Sequence, residues 1–326
     1  MTAADGSSGS RVRTLFLGSG GFALPILDVL VEAPEVELVG VVSAADRPTG
    51  RRAELTPVPV ARRARELGLR LLQPARLGAP EAVAEVAALR PAFGVLADYG
   101  QIVPGSVLEL PAHGILNVHP SALPRHRGAT PIPATILAGD SVAAVTLIRM
   151  DEGLDTGPIV AQQWWALDGA ATAETLEADA ARRGAALVRH SLGGWLAGTL
   201  PATAQEDAGA TLTRPLRRED GRLDPRRPAV ELERQVRAYV PWPGTFVDTD
   251  LGRLIVHEAE VVDEAPPDDM LGTLVADGEG IALTTAAGRL RLRQAQLAGR
   301  RPTDAASLRR GAPGLIGQTV KAALAS

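Results

Sequence analysis

The chain has 326 residues, 45% hydrophobic against 22% charged, which is the balance of an ordinary globular protein and long enough for two domains. It has no cysteine, which excludes a disulfide framework, a thiolate metal site and a cysteine nucleophile. A net charge of −4, with positive charge carried almost wholly by arginine, argues against a surface that binds nucleic acid everywhere and leaves room for a local basic face only.

Residues 1–10, MTAADGSSGS, lack both the basic start and the apolar core of an export signal, and read as a disordered leader. Apolar runs elsewhere are broken by Pro, Gly or charge before reaching a membrane-spanning length, so a cytoplasmic protein without membrane contact is expected. From Val12 onward, short apolar runs alternate with helical patterns. Strands are predicted at Val12–Gly18, Val36–Ser43, Leu69–Leu72, Phe93–Ala97, Gly114–His119, Ala143–Met150 and Pro158–Ala166, with helices such as Pro57–Leu67, Pro80–Leu89 and Thr130–Ala138 between them. That alternation predicts an α/β fold with a doubly wound, mostly parallel, Rossmann-like sheet over residues 11–200.

An Ala-rich helix at Ala173–Leu196 precedes a polar stretch bounded by prolines, which reads as a linker over 201–213. From 214 to 326, a helix at Pro228–Tyr239 and five short β-rich segments with Gly and Asp turns predict a small C-terminal β-barrel. Trp242, between Pro241 and Pro243, is expected to pack a rigid turn.

Gly18-Ser19-Gly20-Gly21-Phe22-Ala23 satisfies GxGxxA after a strand and at a helix start, the position of a dinucleotide loop. The second strand, however, ends at Ser43 without the acidic residue that would hold ribose, and Asp46 comes only inside the next loop. A tight strand-to-helix turn explains the glycines better.

Chemistry concentrates in two segments, GILNVHPSALPRHRG and MDEGLDTGP. Asn117 and His119 stand two apart at the end of a predicted strand, so they share a face at the sheet edge where ligands bind. Asp151, Glu152 and Asp155 follow the next strand. Amide, imidazole and carboxylate together suit acyl transfer to an amine: the amide donates to a developing oxyanion, the imidazole moves a proton and the carboxylate supports the protonated ring.

These residues resemble the methionyl-tRNA formyltransferases, within the folate-dependent formyltransferases. The likeness runs through DRPTGRRAELTPVPV, LADYGQIVP, NVHPSALPRHRGATPI and MDEGLDTGPI, and again through RAYVPWPGTF in the second domain. It implies catalytic roles for Asn117, His119 and Asp155, selecting Asp155 over its two acidic neighbours. It implies that Ser121, Ala122, Leu123 and Pro124 lie on the folate carrier, that 10-formyltetrahydrofolate is the donor and that no metal takes part. The implied acceptor is initiator methionyl-tRNA, gripped by an OB-like C-terminal barrel and by the loop carrying Arg51 and Arg52. Apart from the resemblance, Arg217, Arg218, Arg222, Arg226 and Arg227 form a basic run at the start of the second domain, which reads either as a solvated face or as a track for a phosphate backbone. A monomer is expected.

The sequence departs from the family pattern at Ala122, where leucine is usual, at Asp98, where alanine is common, and at His126, where an aromatic is common. Its second-strand loop is also less basic. Two other readings compete: N-formylation of an amino sugar nucleotide by the same catalytic domain, and a nucleotide-sensing regulator built on the Gly18–Ala23 loop.

Overall fold

The computed structural model describes residues 11–49, 54–263 and 270–320. The elements run β1 (Val12–Gly18), α1 (Leu24–Glu32), β2 (Val36–Val42), β3 (Arg47–Thr49), β4 (Glu54–Thr56), α2 (Pro59–Glu66), β5 (Leu71–Leu72), α3 (Pro80–Ala88) and β6 (Phe93–Ala97). They continue with α4 (Gly105–Leu108), β7 (Ile115–His119), β8 (Arg127–Gly128), α5 (Pro131–Ala138), β9 (Val142–Arg149), β10 (Ile159–Ala166), α6 (Ala173–Leu196) and β11 (Leu212–Thr213). Last come α7 (Ala229–Ala238), β12 (Thr245–Thr249), β13 (Gly252–Val262), β14 (Leu274–Asp277), β15 (Gly280–Thr284), β16 (Arg289–Leu297), β17 (Thr303–Asp304) and α8 (Ala305–Gly311). Two compact units result: the first takes in residues to Pro131, 142–165 and 177–212, the second 132–141, 166–176 and 213 onward.

In the first unit seven strands form one sheet in the order β10-β9-β7-β6-β1-β2-β5. β1 pairs in parallel with β2 and β6, and β6 with β7, while β9 joins β7 antiparallel. Central strands buried on both faces must be apolar along their length. Accordingly, Leu15, Phe16, Leu17, Phe93 and Val95 are all fully buried. The chain moves from β1 outward to β2 and β5, then returns to the other side of β1 for β6 and β7. This reversal is the doubly wound pattern expected from sequence, and it opens the carboxyl edge of the sheet at β1 and β6.

The stretch 201–213, expected to be a linker, is structured within the first unit as far as Leu212. Thr203 and Ile159 exchange backbone hydrogen bonds of 2.8 and 2.7 Å, Arg127 N donates to Thr211 O at 2.9 Å, and β11 pairs with β8. Its polar residues satisfy backbone groups of the loops it crosses, and polarity alone does not distinguish that task from a solvated tether.

In the second unit β12-β13-β16-β15-β14 form an antiparallel sheet with β17 added on β16. Where a closed barrel was expected, no ladder joining β12 to β14 is found among the described residues. Leu232 and Val236, four apart on α7, and Leu308 of α8 bury into one core with Leu254, Ile281, Leu283, Leu290 and Leu292 of the strands. Each such side chain removed from water contributes roughly 1.5–3 kcal/mol. Asp304 caps α8 by accepting from Ser307 N at 2.8 Å. Trp242 differs from expectation: it is 54% exposed. Among the described residues no helix is long and apolar enough to cross a membrane.

Candidate active site

β7 runs between β6 and β9, with Asn117 opposite Leu96 on one side and Ile148 on the other. Its alternate residues Asn117 and His119 are 6% and 5% exposed, buried polar groups that require partners. Asp155 supplies one for both. Asn117 Nδ2 donates to Asp155 Oδ1 at 3.0 Å, and His119 Nδ1 faces Asp155 Oδ2 at 3.6 Å.

Asp155 reaches them from the loop between β9 and β10, at a left-handed φ of +53°, uncommon outside glycine although more accessible to Asp than to most side chains. The surroundings are explicit. Gly128 N donates to Asp155 Oδ2 at 2.8 Å. Gln205 Nε2 donates to the Asp155 and Gly157 carbonyls at 2.8 and 2.7 Å, while Gln205 Oε1 receives the Arg127 guanidinium at 2.9 and 3.1 Å. Gly157 allows the loop to close, since a Cβ there would fall on the Arg149 carbonyl oxygen.

The other two carboxylates of this loop do different work. Asp151 Oδ1 accepts from Gly153 N at 3.0 Å and Thr156 Oγ1 at 2.8 Å, pinning the turn, and Glu152 lies against Gly105. Of the three carboxylates, Asp155 is the one in contact with Asn117 and His119. Gln205 and Arg127 were not singled out from sequence. Arg127 lay inside the quoted HRG motif, whereas Gln205, within the polar stretch, gave no periodic or motif signal.

His119 Nε2 lies 3.0 Å from the His126 carbonyl oxygen. A carbonyl only accepts, so Nε2 carries the hydrogen and, on the neutral ring, Nδ1 holds the lone pair toward Asp155. His126 sits at φ +60°, which turns its carbonyl onto the ring, and its backbone N donates to Thr211 Oγ1 at 2.8 Å.

The run Ser121 to Pro124 forms the turn between these two histidines. Ser121 Oγ donates to Arg125 O at 2.8 Å, Thr146 Oγ1 donates to Ser121 O at 2.6 Å, and Gln162 Nε2 donates to Leu123 O at 3.1 Å. Ser121, Ala122 and Leu123 are 1%, 8% and 3% exposed. These polar atoms are spent within the protein, so the run acts through shape: it delivers the His126 carbonyl to His119.

The glycine loop after β1 is occupied by its own neighbours. Ser19 N and Gly20 N both donate to Asp98 O, at 2.9 and 3.4 Å, and Ser19 Oγ donates to Tyr99 O at 2.8 Å. Asp98 is exposed as a residue, yet its Oδ2 lies where a side chain on Gly20 would stand. Loss of hydration there, with the Glu177 charge adding to it, pushes the Asp98 carboxyl up to about 6. Asp46 is also committed, to Gln73 at 2.7 Å and Arg65 at 2.9 Å; chiefly the Gln73 hydrogen bond holds its carboxyl below its ordinary value. Amides already bonded and a carboxylate over the turn leave no cradle for a pyrophosphate.

Arg51 and Arg52 lie outside the described residues. Arg217 and Arg218 are exposed in the second unit, and neither makes a salt bridge among the described residues. Among these residues no group of three His, Asp or Glu side chains converges as metal ligands.

Both the doubly wound unit that carries this cluster and the antiparallel β unit after it are covered by models of one family. The chain belongs to the formyl transferases: the formyl transferase model matches residues 11–190 and the formyl transferase C-terminal domain model residues 215–313. It is 40% identical over 300 residues to the methionyl-tRNA formyltransferase of Roseiflexus sp. strain RS-1, covering 92% of each chain. It is 42% identical over 310 residues to that of Halorhodospira halophila, covering 95% of this chain and 99% of the relative. Among solved structures, an N-formyltransferase from Helicobacter canadensis, in complex with folinic acid and dTDP-3-aminofucose, shares the fold. Its TM-score is 0.65 at 15% identity, covering 86% of this chain and 98% of that one.

Proposed function

We propose that the chain transfers the formyl group of 10-formyltetrahydrofolate to the α-amino group of methionine on initiator tRNA, with Asn117, His119 and Asp155 as its catalytic residues. The observation that carries this reading is the Asp155 carboxylate shared between the Asn117 amide and the His119 ring on one buried strand.

The amine nitrogen attacks the formyl carbon, and the carbonyl oxygen becomes an oxyanion. Asn117 has two amide hydrogens; one is held by Asp155, so the other is fixed in direction and serves as the oxyanion donor. The attacking nitrogen must shed a proton, and the folate N10 must gain one as its bond to the formyl carbon breaks. His119 carries that proton on Nδ1, where Asp155 Oδ2 stabilises the resulting imidazolium. Amine, formyl carbon and N10 thus exchange one C–N bond for another with no net proton uptake.

Ser121, Ala122, Leu123 and Pro124 wall the folate side. In the second unit Arg217 and Arg218 meet the RNA backbone, together with Arg51 and Arg52 of the loop after β2. The tRNA acceptor is supported by relatives named for it along nine-tenths of the chain and by the match to the C-terminal domain. On this reading the reaction runs without a metal, in the cytoplasm and on a monomer.

The sugar-nucleotide ligand of one structural relative makes amino sugar formylation the second reading. One assay separates them: 10-formyltetrahydrofolate with either methionyl initiator tRNA or an amino sugar nucleotide, followed by detection of the formylated product. Formyl-methionyl-tRNA is expected; product on the sugar nucleotide alone overturns the proposal.

A further inference from the structure

The turn between α7 and β12 presents an aromatic surface for which the catalytic cluster has no use. Trp242 stands between two prolines, whose rings restrict the backbone on either side, and Gly244 N closes the turn on Tyr239 O at 2.8 Å. The turn is therefore stiff, yet the indole it carries is 54% exposed. An indole left half in water on a rigid turn is a poor use of a core aromatic.

Its immediate neighbour is Arg218, with the guanidinium carbon 5.9 Å from the ring centroid. Other cation–π pairs are closer and more firmly held. Arg253 sits 3.7 Å from the Phe246 centroid and also pairs with Asp248 at 2.9 Å; Arg183 sits 4.7 Å from Trp165 and pairs with Asp179 at 3.1 Å. Arg218 makes no salt bridge among the described residues; Arg217 makes none either, and its guanidinium acts on Asp220 through charge alone, that carboxylate being taken by Arg214. The surrounding arginines differ: Arg214 closes on Asp220, Arg226 on Asp224 and Arg227 on Glu231. Arg222 is matched as well, by Asp248 at 2.6 Å, so of the six arginines across residues 214–227 only Arg217 and Arg218 make no salt bridge among the described residues.

We infer that Trp242 is a stacking platform for one unpaired base of the RNA acceptor, with Arg218 and Arg217 neutralising the phosphates that flank it. A flat ring exposed beside two guanidinium groups that make no salt bridge among the described residues is the arrangement that single-stranded nucleic acid selects, because every base offers a π face and every nucleotide a phosphate. The base takes the ring face that Arg218 covers loosely, and Arg218 turns to the backbone. This inference rests on the tRNA reading above and adds to it a subsite in the second unit, apart from the catalytic residues.

The test compares the full-length protein with Trp242→Phe, Trp242→Leu and the double variant Arg217→Ala with Arg218→Ala. Readouts are methionyl initiator tRNA affinity over a range of salt, KM for the folate donor, and the change in tryptophan fluorescence as tRNA is added. Trp242→Leu is expected to weaken tRNA binding roughly 10-fold or more. Its salt slope should match the parent, because no charge was removed; the arginine double variant should flatten that slope by one to two. Trp242→Phe should keep most of the affinity but lose the quenching component, and KM for the folate donor should be unchanged throughout. Parent-like tRNA affinity in Trp242→Leu overturns the platform, as does equal weakening by Phe and Leu, which would mark a packing role. If the parent makes no formyl-methionyl-tRNA at all, the functional reading itself fails, and that is seen before any variant is compared.

Discussion

The Asn117 side-chain amide donates to Asp155 Oδ1 at 3.0 Å. One bond does two things: it fixes the direction of the remaining amide hydrogen, and it leaves Asp155 Oδ2 for Gly128 N and His119. On the proposed mechanism, charge at Asp155 is shared by an oxyanion donor and a proton carrier. Asn117→Ala should lower kcat roughly 100- to 1,000-fold. Asp155→Asn and His119→Ala should each lower it about 100- to 10,000-fold, with little change in folate affinity. Single-turnover formyl transfer beside equilibrium folate binding measures both quantities; near-parental turnover in any one variant removes that residue from the set.

Gln205 acts one step behind the chemistry. Its amide nitrogen holds the carbonyls of Asp155 and Gly157, and its oxygen takes the Arg127 guanidinium. Gln205→Ala leaves those groups without partners, at a cost of about 1–3 kcal/mol. Asp155 then loses the support for its left-handed backbone, so kcat should fall while KM for folate stays near the parent value. Gln205→Glu is the informative companion: it keeps the length but removes the amide donor and should behave like alanine. Full activity in both would show that the loop stands without this strap.

Gly157 tests the same loop by sterics. A methyl group there meets the Arg149 carbonyl, which is backbone and cannot swing away. Gly157→Ala should destabilise by about 1–3 kcal/mol, the usual cost of overpacking, and should displace Asp155 two residues earlier. Denaturant midpoint and kcat should fall together. A stable but inactive variant would mean that the loop, rather than the domain, absorbs the clash.

The sequence makes the strands, the Asn117–His119 pairing on one face and the second β unit legible, because each follows from apolar periodicity or strand alternation. Two features escape it for physical reasons. The barrel expectation came from counting short strands, whereas closure depends on pairing between strands distant in sequence, which no local pattern encodes. Gln205 sits in a polar segment whose composition suits a tether as well as a strap; only the backbone groups it satisfies distinguish the two. The glycine loop is the converse case. Its motif is present, and the missing acid at the end of β2 argues against a dinucleotide, but the obstruction by Asp98 depends on a contact between the turns after β1 and β6 that the sequence does not display.

That obstruction has a pH signature. The Asp98 carboxyl, ordinarily near 3.8, stands at about 6 in the folded chain, through lost hydration first and the Glu177 charge second. Between those values the folded protein holds more protons than the unfolded one. Stability from this group is therefore greatest at acidic pH and declines as pH rises from about 4 to about 6, after which it is flat. Asp98→Asn keeps a side chain that tolerates the left-handed φ of +45° and removes the ionisation. Denaturant unfolding of the parent and Asp98→Asn from pH 4 to 7 should give curves that separate in the variant's favour as pH rises. Parallel curves over that range would mean that the carboxylate is hydrated where it lies over Gly20, and that the turn after β1 is open to solvent there.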